Sequence, residues 1–396
     1  MSGTTTLQLR RDLLKLAALF SAGSALAPSL RLRAQNNANA PLRIGYLPIT
    51  DATPLLVAHA QGFFADQGIE VEKPVLLRSW SQLLEAFISG QVNLVHLLAP
   101  MTIWARYGSQ LPAKVVAWNH MSGSALTVAP HIQKISDLAG QTIAIPFHYS
   151  VHNVVLQYML REAGLQPVLN SRQKLQANQV RLSVMAPSDM VPALASKSIA
   201  AFTVAEPFNA QAELLQVGRI LRFTGDVWRD HACCVLFMQE HDLNQRPEWS
   251  QKVVNGIVQA QHWILSHRAE TAQILAHDHA QKYTPHSVTA LSKVLNPNPD
   301  DQQHYIQSGA IQHPEWQDKR INFQPYPFPS YTEELVRQLQ QMQFEQGSGF
   351  LADLEPTQVA DELVDNRFVK QAILDLGGPE LFGLNAQWQR SEDLRL

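Results

Sequence analysis

Cys233 and Cys234 are the only two cysteines in a chain of 396 residues, and they are adjacent. Such a pair admits three chemistries. Both thiols can be small buried hydrophobes on a strand, Cys234 can line a ligand pocket, or the pair can do redox or soft-metal chemistry. A second group gathers donors at an expected helix start: His148, Tyr149, Ser150, His152 and Asn153. There, side chains either cap the helix or join its free amides in holding a ligand. Thr50 and Asp51, both N-cap types, precede the apolar face made by Leu55, Leu56, Ala58 and Phe63. Glu206-Pro207 ends an apolar strand and offers a cleft-edge carboxylate or a local ion pair. Trp80, flanked by Ser79 and Ser81, is either core or ligand wall. His277 and His279 fall at i, i+2 and share no helix face, so they do not read as a metal site. The Thr50–Asp51 turn carries no nucleophile, acid/base pair or metal cluster. The reading is a binder with no cofactor, not an enzyme.

Alternating strands and helices must position these groups. Leu42–Leu47 and Val71–Leu77 read as strands around a helix closed by Gly68, so that a strand end faces a helix N-terminus. The alternation continues with a helix from Ser79 to Ser89 and strands Val92–Leu98, Ala113–Trp118 and Leu126–Ala129. A second unit then offers strands Thr142–Ile145, Val180–Val184, Ile199–Val204 and Ile220–Phe223, with helices at 151–163 and 188–196. Val235–Met238 reads as a strand returning to the first sheet. The expected architecture is two α/β lobes, the second inserted into the first. Residues 42–128 and 235–396 form lobe 1, and residues 129–234 form lobe 2. From Pro247 onward the pattern is helical, including a segment from Gln358 to Leu376. Asn322–Pro329 (NFQPYPFP) must run extended.

Residues 1–34 pair Arg10 and Arg11 with Lys15 and an apolar run from Leu16 to Leu26, which resembles a twin-arginine export signal. The run is far shorter than the roughly 20 residues a spanning helix needs. Cleavage is expected after Ala34, with residues 35–41 as a polar linker. The expected compartment is therefore the periplasm. The whole chain has 31 Lys+Arg against 34 Asp+Glu, a net charge of −3, and losing the basic leader makes it more acidic still. That balance excludes a global field for nucleic acid or an anionic membrane. A hydrophobic content of 45% supports two cores. Adjacent cysteines cannot staple distant segments, so packing must carry the stability.

The stretches GYLPITDATPLLVAHAQGFFADQGIEV, RSW at Arg78–Trp80, HLLAPM at His96–Met101, SVHNVVLQYML from Ser150, AFTVAEPFNAQ from Ala201, GDVWRDH from Gly225 and NFQPYPFP occur in an order that resembles one family. It is that of the periplasmic substrate-binding proteins of nitrate, bicarbonate and sulfonate ABC importers, and the nitrate/bicarbonate branch in particular. The resemblance implies a two-lobed type II periplasmic binding protein fold with a helical C-terminal extension. It implies a monomer that closes on a small ligand and delivers it to a permease and its ATPase. By the same resemblance Trp80 lines the ligand site and His152 starts a second-lobe helix facing it. Gly123-Ser124 stands where the nitrate binder has Gly-Gln, and Cys234 where it has an anion-pairing Lys. Loss of that Lys removes a charge-assisted hydrogen bond worth roughly 1.5–3 kcal/mol, so a different or less charged ligand is expected. The residues expected at the ligand are thus Thr50, Asp51, Trp80, Gly123, Ser124, Ser150, His152, Glu206 and Cys234. Two alternatives remain open: a sensor that signals to a partner protein, and a binder or enzyme of the thiamine-pyrimidine-precursor type.

Overall fold

Strands covered by helices on both faces must be apolar on both faces, and the central strands of this chain are. The computed structural model describes residues 40–169, 174–317, 319–345 and 347–396. The expected export signal and nearly all of its linker lie outside the described residues. β1 (Ile44–Tyr46) is flanked in parallel by β2 (Val75–Leu76) and β3 (Leu94–Leu98). β12 (Cys234–Gln239) returns antiparallel between β3 and β4 (Ala113–Trp118), giving the order β2-β1-β3-β12-β4. Every residue of β1 and β3 is buried, as are the first five of β12.

The second sheet has the order β11-β6-β10-β7-β9-β8. Its strands are β6 (Ser124–Val128), β7 (Thr142–Ile145), β8 (Gln166–Leu169), β9 (Gln179–Val184), β10 (Ala201–Ala205) and β11 (Arg219–Phe223). One expected boundary is corrected here. The strand near 126–129, assigned to lobe 1, pairs antiparallel with both β10 and β11 and so belongs to the second sheet. The crossing falls earlier, where Ser122 and Gly123 take left-handed backbone (φ 56° and 77°). β12 starts at Cys234 and pairs with β3 and β4 of the first sheet. A small two-stranded sheet marks the junction, β5 (Met121–Ser122) pairing with β13 (Ile321–Asn322).

The C-terminal part is helical as expected, and it packs on the first sheet's side. The helix Pro247–Ser266 lies against Thr53–Ala60 and against Arg367–Leu376. The single helix expected over 358–376 is two, Pro356–Leu363 and Arg367–Leu376. The chain breaks because Val364 bridges to Val115 and the Asp365 amide donates to the Val115 carbonyl. The extended segment after Asn322 is held by the Trp118 amide, which donates to the Pro325 carbonyl. Among the described residues no helix is long and apolar enough to cross a membrane.

Candidate functional site

The turn after β1 does not cap a helix with Thr50 or Asp51. Thr50–Ala52 is a 3-10 turn, and the following helix Thr53–Ala60 has Ala52 at its N-cap with no side-chain bond. Tertiary partners claim both side chains instead. The Thr50 amide and hydroxyl both donate to the Glu206 carbonyl, tying the first sheet's turn to the end of β10. The Asp51 carboxylate points into the protein, fully buried.

Around Asp51 Oδ2 stand three donors: His120 Nε2 at 3.0 Å, Cys234 Sγ at 3.1 Å and Cys233 Sγ at 3.4 Å. Neighbouring residues of a strand face opposite ways, yet both thiols reach one carboxylate. The ladder begins only at Cys234, which leaves Cys233 free to turn the same way. Its loop is fixed by Tyr331 Oη, which donates to the Ala232 carbonyl, and by the Ala99 amide, which donates to that of Cys233. His120 comes from the turn between β4 and β5, and the neighbouring Asn119 amide group donates to the Asp51 carbonyl. The described partners of Asp51 are thiols, an imidazole and an amide, with no Lys or Arg among them.

The second lobe supplies the other wall. His152 Nε2 lies 2.9 Å from Ser124 Oγ and 3.8 Å from Cys233 Sγ, and Ser124 Oγ lies 3.8 Å from the same sulfur. His152 sits in the first turn of the helix Val151–Glu162, whose N-cap is Ser150. The Ser150 hydroxyl accepts from the Asn153 amide and donates to the Phe147 carbonyl. Its proton is spent on the Phe147 carbonyl and its oxygen accepts the capping bond, so Ser150 holds the turn that carries His152. Gly123 contributes backbone only, its amide donating to Arg320 and its carbonyl accepting from Glu206.

Two expectations change. Glu206 is no cleft-edge carboxylate: its Oε1 pairs with Arg320 at 2.6 Å, fully buried, and its Oε2 accepts from the Ala210 amide. Nor is the cysteine pair merely apolar filling, since both sulfurs engage Asp51. His120 and Cys233 join the site without having been singled out as ligand contacts. Nothing in the local pattern around His120 marks it, because long-range pairing brings it there.

Burial raises the Asp51 pKa to about 6, against the opposing pull of His120. Burial alone would push His120 down, but the adjacent carboxylate lifts it to about 10. His96 is held neutral, its pKa lowered to about 3 by burial and by the charge of His120. Its Nε2 accepts from the Leu47 amide, so Nδ1 carries the proton. Trp80 is buried, with its ring edge-on to His96 at 5.6 Å between centroids. Six buried atoms here lack a partner among the described residues: Trp80 Nε1, His96 Nδ1, His120 Nδ1, His152 Nδ1, Asn119 Oδ1 and Asp51 Oδ1. Buried polar groups are ordinarily paired, and this concentration marks a place built to meet something else.

The profile of the NMT1-like family matches residues 35–277, more than half of the chain. The nitrate/nitrite binding protein NrtA of Nostoc sp. is 26% identical over 253 residues, covering 57% of this chain and 56% of that protein. The chain thus matches little more than half the length of such curated relatives. The crystal structure of the periplasmic nitrate-binding protein NrtA from Synechocystis superposes with a TM-score of 0.68 at 18% identity, over 86% of this chain and 90% of that one. The alkanesulfonate-binding protein SsuA from Xanthomonas axonopodis pv. citri, bound to MOPS, gives 0.53 at 17% identity, over 72% and 96%. These likenesses bear out the two-lobed periplasmic-binding-protein fold expected from the sequence.

Proposed function

This chain belongs to the NMT1-like family, and from that premise we propose that it is an exported solute-binding protein of an ABC importer, closing its lobes on a small solute. The observation that carries the reading is the set of unpartnered buried polar atoms between the lobes. Trp80, His96 and Asp51 come from the first lobe and His152 from the second. A ligand touching both sides favours the closed state by its differential contacts, which is how hinge closure couples to binding. The relatives point to nitrate-like anions, sulfonates or related small polar compounds as solutes, and to a permease with its ATPase as partners. Export through residues 1–34 places the protein in the periplasm, and it acts as a monomer without chemistry of its own. A thermal-shift screen with nitrate, nitrite, bicarbonate, alkanesulfonates and pyrimidines tests this. A solute that raises the melting temperature in wild type but not in His152→Ala supports it. Stabilisation that is indifferent to His152 would remove the inter-lobe site from the argument.

A further inference from the structure

The cluster around Asp51 has the wrong sign for a free oxyanion. A carboxylate and two thiols, each able to lose a proton, face one imidazole, His120, at the carboxylate, and a second, His152, 3.8 Å from the Cys233 sulfur. The position where the resemblance places a Lys holds Cys234. An anion entering here would meet Asp51, whose one imidazole partner, His120, is already engaged by the carboxylate at 3.0 Å, with no Lys or Arg among that residue's described partners. We propose that Asp51, His120, Cys233 and Cys234 form a binding site for a thiophilic transition-metal ion of the zinc class. This names the solute class of the inter-lobe site and rests on reading that site as the ligand site.

Four observations support the assignment. The donor atoms of all four residues lie within 4.8 Å of one another, and all four residues are buried. Metal–ligand bonds of about 2.0–2.3 Å imply tetrahedral edges of roughly 3.3–3.8 Å. The separations of 3.0, 3.1 and 3.4 Å around Asp51 Oδ2 are within a few tenths of an ångström of that range, and the other donor–donor separations are at most 4.8 Å. The donor set of two thiolates, one imidazole and one carboxylate is chemically suited to zinc and its soft neighbours, and unsuited to magnesium or calcium. Finally, Asp51 Oδ1 is buried without a partner while Oδ2 faces three donors. Those three protons occupy the side of the carboxylate where one cation would sit.

Loading the site exchanges protons for the ion. Each thiol that ligates loses its proton to solvent as the metal–sulfur bond forms, and the Nε2 proton that His120 donates to Asp51 is likewise released, so that the neutral nitrogen ligates. No electron is transferred. His152 and Ser124, from the second lobe, lie against Cys233 Sγ and orient that sulfur, so occupancy of the site is coupled to closure.

Equilibrium dialysis of the reduced full chain against Zn2+, followed by elemental analysis, is the direct test. One tightly held ion per chain is expected, with Cys233→Ser and Cys234→Ser each weakening binding on the order of 100-fold or more, beyond the loss of an outer-shell partner. Because such variants can fold poorly, the wild-type chain is also titrated with Co2+. Thiolate-to-cobalt charge-transfer bands with intense tetrahedral d–d absorption support the site without any substitution. Absence of stoichiometric zinc, or a cobalt spectrum without thiolate bands, overturns it. The same chain screened with nitrate and alkanesulfonates separates the two readings. Stabilisation by an oxyanion through His152, with no zinc bound, sinks the metal site and leaves the solute-binding reading standing. Silence in both assays sinks both.

Discussion

Glu206 and Arg320 are 114 residues apart in sequence, and they form a buried ion pair of 2.6 Å where the two lobes join. The pair sits on strained ground in the charge sense. Burial raises the Glu206 pKa and the Arg320 guanidinium opposes that rise. The same residue's carbonyl receives the Thr50 amide and hydroxyl, and its amide donates to Gly123. One residue therefore fixes the first lobe's turn, the crossing segment and the C-terminal part. Glu206→Gln leaves the buried guanidinium with the Tyr305 hydroxyl at 2.8 Å and, among the described residues, the Glu213 carboxylate at 3.5 Å as its one remaining charged partner. Breaking a buried pair from one side typically costs about 3–5 kcal/mol, and the expected loss in urea denaturation is at the low end of that range. A change below about 1 kcal/mol, the ceiling for exposed pairs, would show that the pair contributes little.

Gly123→Ala tests the crossing itself. Its φ of 77° is left-handed, and an added Cβ would lie 3.1 Å from Ile321 and 3.2 Å from His120 Nδ1. The backbone term costs about 1–2 kcal/mol, and the contact with His120 adds displacement of the imidazole facing Asp51. Gly140 is the control, with a φ of 76° and nothing within 4 Å of the added Cβ. Gly140→Ala should lose the backbone term alone. Equal losses at the two positions in denaturation would mean that the His120 side gives way freely.

His96 sets an expected acid sensitivity. Its folded pKa of about 3 lies below the ordinary imidazole value of 6.5. The unfolded chain therefore binds a proton that the folded chain refuses between those values. Stability is unaffected above about pH 6.5 and falls as pH drops toward 3, with a slope approaching 1.4 kcal/mol per pH unit for this one group. His96→Gln keeps an acceptor for the Leu47 amide and removes the titration. Denaturation at pH 7 and pH 5 should show a smaller acid loss in the variant. An identical loss in both proteins would contradict the assignment.

These groups differ in how visible they are in the sequence. Strand periodicity and turn residues located most of the two sheets, and Ala113–Trp118 and Thr142–Ile145 appear with the expected bounds. The helix Phe208–Leu214 and the short strand Gln166–Leu169 did not stand out, because each is short and the strand is only partly buried. Asp51, Trp80, Ser124, His152 and Cys234 were singled out in the sequence, from turn residue types, a donor cluster and resemblance, and all five are buried. His120 and Arg320 were not singled out. Each sits in an irregular segment with no periodic neighbours, and its partner is 69 or 114 positions away, a relationship set only by tertiary packing. Local pattern misled at Thr50 and Asp51, where a cap residue type predicts a cap but tertiary partners won, whereas at Ser150 the expected cap is present.

Trp80 offers the cleanest measurement on the ligand side of the site. Its indole Nε1–H is buried without an acceptor, and the ring meets His96 edge-on. Leaving a donor unpaired in the interior costs about 1–3 kcal/mol, which a bound acceptor would recover. Trp80→Phe removes the donor while keeping an aromatic ring over His96. The free protein then loses packing but also loses the unsatisfied group, so the two effects oppose each other and stability should change little. Affinity for the solute that stabilises the wild type should fall about tenfold, the equivalent of one net hydrogen bond near the upper end of its usual range. Isothermal titration of both proteins reads this directly. Unchanged affinity would show that the indole faces packing alone, and the ligand contacts would then rest on His96, His152 and the Asp51 cluster.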